Sequence, residues 1–260
     1  LLAIMRRLRG VDGCAWDRAQ TFASIAPFTI EEAYEVADAI ERSDLPHLKD
    51  ELGDLLFQVV FLSELAEEGG HFDFDGVAAT ICGKLIRRHP HIFDPGTRAR
   101  LSVDQQSGVW EDIKAAERAA EATPGSGSVS ALHGVPTVLP ALMRAFKLSK
   151  RAARTGFDFN EAGETADKVA EELAEVREAA AKGCGATSEV FEEVGDLLFA
   201  AANLARKLDV DAEAALRAAN GKFERRFQGM ERLAAERGLS FETLGLAAQE
   251  ALWQEVKRAE

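Results

Sequence analysis

The sequence predicts an all-α protein made of two tandem helical bundles joined by a Gly/Ser/Pro linker. Three observations carry this. All seven prolines lie at or before Pro140, and from Ala141 to Glu260 the chain is dominated by Ala, Glu, Leu, Arg and Lys. These are good helix formers, with no helix breaker of the proline kind among them. Alternating runs of β-branched residues are absent, so nothing reads as a strand. The stretch from Thr123 to Pro136 collects Gly, Ser and Pro, which is a linker composition. It separates two units of similar size, 1–122 and 137–260.

In the first unit the spacing predicts helices over 21–42, 46–68, 74–89 and 103–120. Asp44-Leu45-Pro46 places a capping carboxylate and a proline where the second of these begins. In the second unit, helices are predicted over 141–155, 161–182, 187–208, 210–237 and 241–258. Their stops are Gly156, Gly183-Cys184-Gly185 and Gly238.

The 260 residues hold 31 Lys+Arg and 44 Asp+Glu, a net charge of −13, with 47% hydrophobic and 29% charged residues. That balance fits a globular chain and excludes wholesale disorder. The acidic excess opposes stable nucleic-acid binding. Cys14, Cys82 and Cys184 form no Cys-x-x-Cys pair, so neither a zinc knuckle nor a disulfide framework is expected. The first seven residues become charged too quickly for a signal peptide. The apolar run from Leu55 to Leu62 is far shorter than the ~20 residues of a spanning helix. A cytoplasmic protein with no membrane contact is expected.

The two units repeat each other. Glu31-Glu32-x-x-Glu35 returns as Glu171-Glu172-x-x-Glu175, and Glu51-Leu-Gly-Asp54-Leu-Leu-Phe57 as Glu193-Val-Gly-Asp196-Leu-Leu-Phe199. Lys84-x-x-Arg87-Arg88 returns as Lys222-x-x-Arg225-Arg226, and Trp110-x-x-x-Lys114 as Trp253-x-x-x-Lys257. The order is the same and the offset stays between 138 and 143 residues. This is a duplicated helical unit; the period is far above that of a solenoid.

Several carboxylates sit where apolar side chains belong. Val169, Leu173 and Val176 form one stripe and Glu172 interrupts it. Val190, Val194 and Leu197 form the next, and Glu193 interrupts that. Glu175 and Asp196 follow three residues after each. In the first unit Glu32, Glu35, Glu51 and Asp54 hold the same places. Two antiparallel helices thus bring four like charges to one seam, where repulsion and desolvation act together. A cation relieves both, and an all-oxygen donor set selects Mg²⁺, with Mn²⁺ as a substitute. Glu31, Glu171 and Glu192 read as solvated. A di-iron site would need Glu-x-x-His on a helix, and the only match, Glu68-Gly-Gly-His71, is broken by its glycines. His47, His89, His91 and His133 read as turn or surface residues.

Lys222, Arg225 and Arg226 share one helical face, as do Trp253 and Lys257. Cations beside a metal suit a polyphosphate, and an indole can stack on a base. Core positions for Trp110 and Trp253, and solvated ones for the cations, are the competing reading. Neither a Walker loop nor a Rossmann fingerprint is present.

These motifs together resemble the MazG family of nucleoside triphosphate pyrophosphohydrolases. So do Gly13-Cys-Ala-Trp16-Asp17, Arg87-Arg-His-Pro-His-Ile-Phe93, Gly156-Phe-Asp-Phe159 and Lys222-Phe-Glu-Arg-Arg-Phe227. The resemblance spans nearly the whole chain; one departure is Ala15, where the family pattern has Pro. It implies MazG-like bundles that dimerise. The implied reaction takes an NTP or dNTP to the monophosphate and pyrophosphate with Mg²⁺, clearing damaged or surplus nucleotides. It implies Glu172, Glu175, Glu193 and Asp196 as metal ligands and catalytic residues, and Lys222, Arg226, Trp253 and Lys257 as nucleotide contacts. Lys168 and Arg225 join that group by position. A non-enzymatic nucleotide sensor or protein-binding regulator on the same bundle is the alternative. Between the units, Lys168, Asn203, Arg206 and Asn220 stand where the first has Phe28, Phe61, Glu64 and Cys82. The extra cations and amides mark the second unit as the main catalytic centre, with the Glu32, Glu35, Glu51 and Asp54 site weaker.

Overall fold

The computed structural model describes residues 1–94, 102–121, 130–182 and 187–260, and among them no strand occurs. The predicted stop at Gly183-Cys184-Gly185, and the first half of the predicted linker, lie outside the described residues. The chain divides into two compact units, Leu1–Glu117 and Arg118–Glu260. No helix among the described residues is long and apolar enough to cross a membrane.

The first unit runs α1 (Leu2–Arg9), α2 (Ala15–Ala19), α3 (Phe22–Glu41), α4 (Leu45–Glu68), α5 (Phe74–Arg88) and α6 (Pro90–Phe93), followed by α7 (Val103–Glu121), whose last turn passes the boundary. The helices α3 and α4 form its backbone. Thr21 and Ser24 cap each other's backbone N–H at the start of α3. The Asp44 side chain accepts from the His47 N–H at the start of α4, with Pro46 in the first turn. The core is Met5, Ile25, Val60, Phe61 and Leu65, joined by Leu2, Phe57, Leu62 and Phe74. The short helices α1, α2 and α6 escape sequence reading because segments of four to eight residues show too little periodicity to register. Yet α1 supplies Met5, which is fully buried.

The second unit runs α8 (Ala141–Ala153), α9 (Ala162–Lys182), α10 (Ser188–Lys207), α11 (Ala212–Glu236), a 3₁₀ turn (Phe241–Thr243) and α12 (Leu246–Ala259). Thr187 caps α10 and Asp211 caps α11. Gly156 and Gly238 take positive φ, 88° and 66°, as stops in the left-handed region do. Two groups of packings build this unit, α10 on α9 and α8, and α11 on α12. At the second, a Cβ on Gly229 would stand 2.9 Å from Val256 Cγ1, so only glycine allows that approach. Met230, Ala234 and Leu252 form the core there, with Leu233, Phe241, Leu244, Trp253 and Val256 against it. The predicted helix over 241–258 is split, because Gly245 stands between the 3₁₀ turn and α12.

Candidate active site

In the second unit, carboxylate oxygens of Glu172 and Glu175 on α9 and of Glu193 on α10 lie within 4.8 Å of one another. Asp196, one turn further along α10, stands outside that trio. Glu172 is 6% exposed. Burial, then the hydrogen bond and charge of Glu172, push the Glu175 carboxyl up, with Glu193 adding to this and Lys168 opposing it. The Lys168 ammonium reaches Glu171 and Glu172, each at 2.7 Å. Hydrogen bonds to that pair hold its proton more tightly than usual.

The first unit builds the same trio from Glu32, Glu35 and Glu51. Burial raises both Glu32 and Glu51, and the charges of Glu35 and Asp54 add to it. Two residues that sequence reading missed modify this trio. His47 Nδ1 lies 3.2 Å from Glu51, and Gln58 Nε2 donates to Glu32 Oε1 at 3.3 Å. The i, i+4 spacing of His47 and Glu51 was the available signal. Gln58 had none, since a buried amide looks like any polar residue on a helix.

The donor set fits a hard divalent cation. Every clustered atom is a carboxylate oxygen, and the carboxylates crowd one another at a half-buried seam, where burial first and then the neighbouring carboxylates raise Glu175. Such crowding is what a cation relieves.

The cations form a separate group. Arg226 on α11 meets Glu260 at 2.6 Å and lies over the Trp253 ring at 5.6 Å. Arg226, Arg225 and Lys222 together hold the Glu260 carboxyl below its ordinary value, with burial opposing. Trp253 packs against Phe223 at 5.6 Å between ring centres and lies half-buried against the α11–α12 core. Lys257 is exposed. No ion pair or hydrogen bond joins this group to the carboxylates among the described residues. In the first unit the corresponding Arg87 and Arg88 both grip Glu117, at 3.2 and 2.6 Å. Arg206, expected as an extra cation for the substrate, is committed to Asp158 at 2.5 Å.

Comparison with known proteins decides the family. Residues 20–93 match the MazG nucleotide pyrophosphohydrolase domain. The nucleoside triphosphate pyrophosphohydrolase of Escherichia coli K12 is 51% identical over 264 residues, covering 100% of this chain and 97% of its own. The chain belongs to the MazG nucleoside triphosphate pyrophosphohydrolases. A MazG protein of Thermotoga maritima, named nucleoside triphosphate pyrophosphohydrolase/pyrophosphatase, is 41% identical over 257 residues, covering 99% and 94%. The Mycolicibacterium smegmatis nucleoside triphosphate pyrophosphohydrolase is 34% identical over 157 residues, 60% of this chain and 45% of its own. Residues 139–222 match the phosphoribosyl-ATP pyrophosphohydrolase model, so both units carry this type of domain. As a MazG protein the chain is a hydrolase acting on acid anhydrides, which answers the sensor alternative.

Proposed function

We propose that the second unit hydrolyses nucleoside or deoxynucleoside triphosphates between the α and β phosphates, releasing the monophosphate and pyrophosphate. The observation that carries this is the trio Glu172, Glu175 and Glu193 with oxygens within 4.8 Å. These three and Asp196 would hold Mg²⁺, or Mn²⁺ in its place. A divalent cation there supplies Lewis acidity toward the phosphate oxygens and toward a nearby water.

The chain's own groups do the rest. One of the carboxylates accepts the proton of the attacking water. The water oxygen bonds to the α phosphorus as the bridging P–O bond breaks, and pyrophosphate leaves with the electron pair. Lys168, placed on the carboxylate seam, faces the growing negative charge. Lys222, Arg225, Arg226 and Lys257 contact the phosphates, and Trp253 the nucleotide. The units are bounded at 122 and 137. The first, with the corresponding Glu32, Glu35, Glu51 and Asp54, serves structure, regulation or a narrower substrate. The protein works as a homodimer in the cytoplasm, removing damaged or surplus nucleotides, without binding nucleic acid.

Product analysis in ¹⁸O-labelled water tests the reaction. The expected products are pyrophosphate and a monophosphate carrying the label. Orthophosphate as the first product, or full turnover in excess EDTA, refutes it.

A further inference from the structure

The repeated motif Trp-x-x-x-Lys extends by one further turn. In both units a glutamate follows three residues on, giving Trp110-x-x-x-Lys114-x-x-Glu117 and Trp253-x-x-x-Lys257-x-x-Glu260. All three positions keep the same offset of 143 residues. The spacing i, i+4, i+7 puts the three side chains on one side of α7 and of α12.

Each glutamate meets the second arginine of the Lys-x-x-Arg-Arg motif in the same way. Glu117 Oε2 accepts from Arg88 Nε at 3.1 Å and from Arg88 Nη2 at 2.6 Å. Glu260 Oε2 accepts from Arg226 Nε at 2.9 Å and from Arg226 Nη2 at 2.6 Å. The residues between the motif positions differ, yet the pairing recurs atom for atom. The helix does not account for it. Glu260 is the C-cap of α12, where the negative end of the helix opposes a carboxylate. The hydrogen bond from Arg226 leads in holding the Glu260 carboxyl below its ordinary value; burial opposes, and the charges of Arg226, Arg225 and Lys222 add to the lowering.

The pairing presets Arg226 without using it up. The Arg226 side chain is 15% exposed, and its guanidinium also lies 5.6 Å from the Trp253 ring centre. Glu260 and Trp253 thus hold it from one side of α12. Glu260 takes the Nε and Nη2 donors, and Nη1 makes no hydrogen bond among the described residues. One carboxylate against Lys222, Arg225, Arg226 and Lys257 leaves the group positive. An arginine fixed in advance loses less freedom when an oxyanion arrives. In the first unit Glu117 also takes Arg87, through Oε1 at 3.2 Å, so both arginines are spent on it. Arg225, the counterpart of Arg87, acts on Glu260 through its charge alone.

We propose that Glu260 is a positioning residue: it holds the Arg226 guanidinium by Nε and Nη2 and leaves Nη1 to donate to a phosphate oxygen. This rests on the phosphate role of Arg226 in the reaction proposed above. Calorimetric titration of the full chain with inorganic pyrophosphate and Mg²⁺ tests it. Glu260→Ala, a change at a surface ion pair that leaves folding intact, is expected to weaken binding about fivefold, the cost of ordering one long side chain. Glu260→Gln keeps an acceptor oxygen for Nε and Nη2 and is expected to stay within about twofold of the parent. Arg226→Lys removes the Nε and Nη2 pair. In that background Glu260→Ala is expected to change binding by less than about twofold, because the two residues act as one unit. A glutamate that only fastened α12 to α11 would add its full loss there, and that additivity overturns the proposal. Unchanged or tighter pyrophosphate binding by Glu260→Ala also overturns it; tighter binding would make the glutamate a competitor of phosphate for Arg226. Pyrophosphate binding needs no turnover, so it separates failure of this contact from failure of the hydrolytic reading, which product analysis decides.

Discussion

Glu175 shows how one residue carries both the instability and the function of the seam. Its carboxyl is raised chiefly by burial and then by Glu172, so in the metal-free protein the folded state holds this proton more tightly than the unfolded chain. Between the ordinary glutamate value near 4.5 and the raised folded one, the native state binds more protons. The stability this group contributes is therefore present below that window and lost as pH rises through it. Glu175→Gln removes the effect. In EDTA the variant is expected to unfold at a higher temperature than the parent at about pH 7, and with little difference at about pH 4. With saturating Mg²⁺ the order at neutral pH reverses, because the parent gains ligand-linked stability. Thermal melts of both proteins decide it; a difference independent of pH contradicts the coupling.

Residue-scale features were legible unequally. Glu172 and Glu193 announced themselves because each interrupts an apolar stripe, and Glu175 because it follows one turn after Glu172. Asp196 shares the sequence signature but stands outside the trio, a distinction that helical spacing is too coarse to make. The engagement of Arg226 with Glu260, and of Arg206 with Asp158, was invisible because those partners lie 34 and 48 residues apart.

At the scale of elements, the caps and glycines determine where helices stop and how closely they approach. Gly229 admits Val256 of α12, and a methyl group there would overlap a stiff β-branched side chain at 2.9 Å. Gly229→Ala is expected to destabilise the protein by about 1–3 kcal/mol through overpacking, despite alanine's better helix propensity. Urea unfolding measures this, and Val256→Ala in the same chain is expected to recover part of the loss. Stabilisation by Gly229→Ala alone would mean that α12 shifts freely on α11. The start of α4, which carries Glu51, depends on Asp44 accepting from the His47 N–H at 3.1 Å. Asp44→Ala is expected to cost about 1 kcal/mol, read in the same unfolding experiment.

At the scale of the whole molecule, duplication has left two carboxylate trios with different surroundings. His47 and Gln58 engage the first, while Lys168 engages the second. Glu175→Ala is expected to abolish most turnover of a nucleoside triphosphate, and Glu35→Ala to leave most of it. Parallel assays on one substrate check this, and the reverse outcome assigns catalysis to the first unit. Exposed apolar side chains also remain on each unit, among them Leu52 and Leu56 on α4 and Leu198 on α10. Surfaces of this kind favour association. Light scattering at micromolar concentration is expected to give about twice the 28.2 kDa of one chain; a monomer there contradicts the dimer.

The helical class, the duplication and the acidic seam were determined by the sequence itself, because they rest on local periodicity and on repetition, both of which survive without any knowledge of long-range contacts. The tertiary structure alone decided what surrounds each seam. Phe61 and Asn203 occupy equivalent places in the repeat, yet one lies sealed beneath Met5 and the other borders a cavity. That difference depends on how α1 packs in one unit and α8 in the other, and packing between distant segments leaves no mark in the spacing of either.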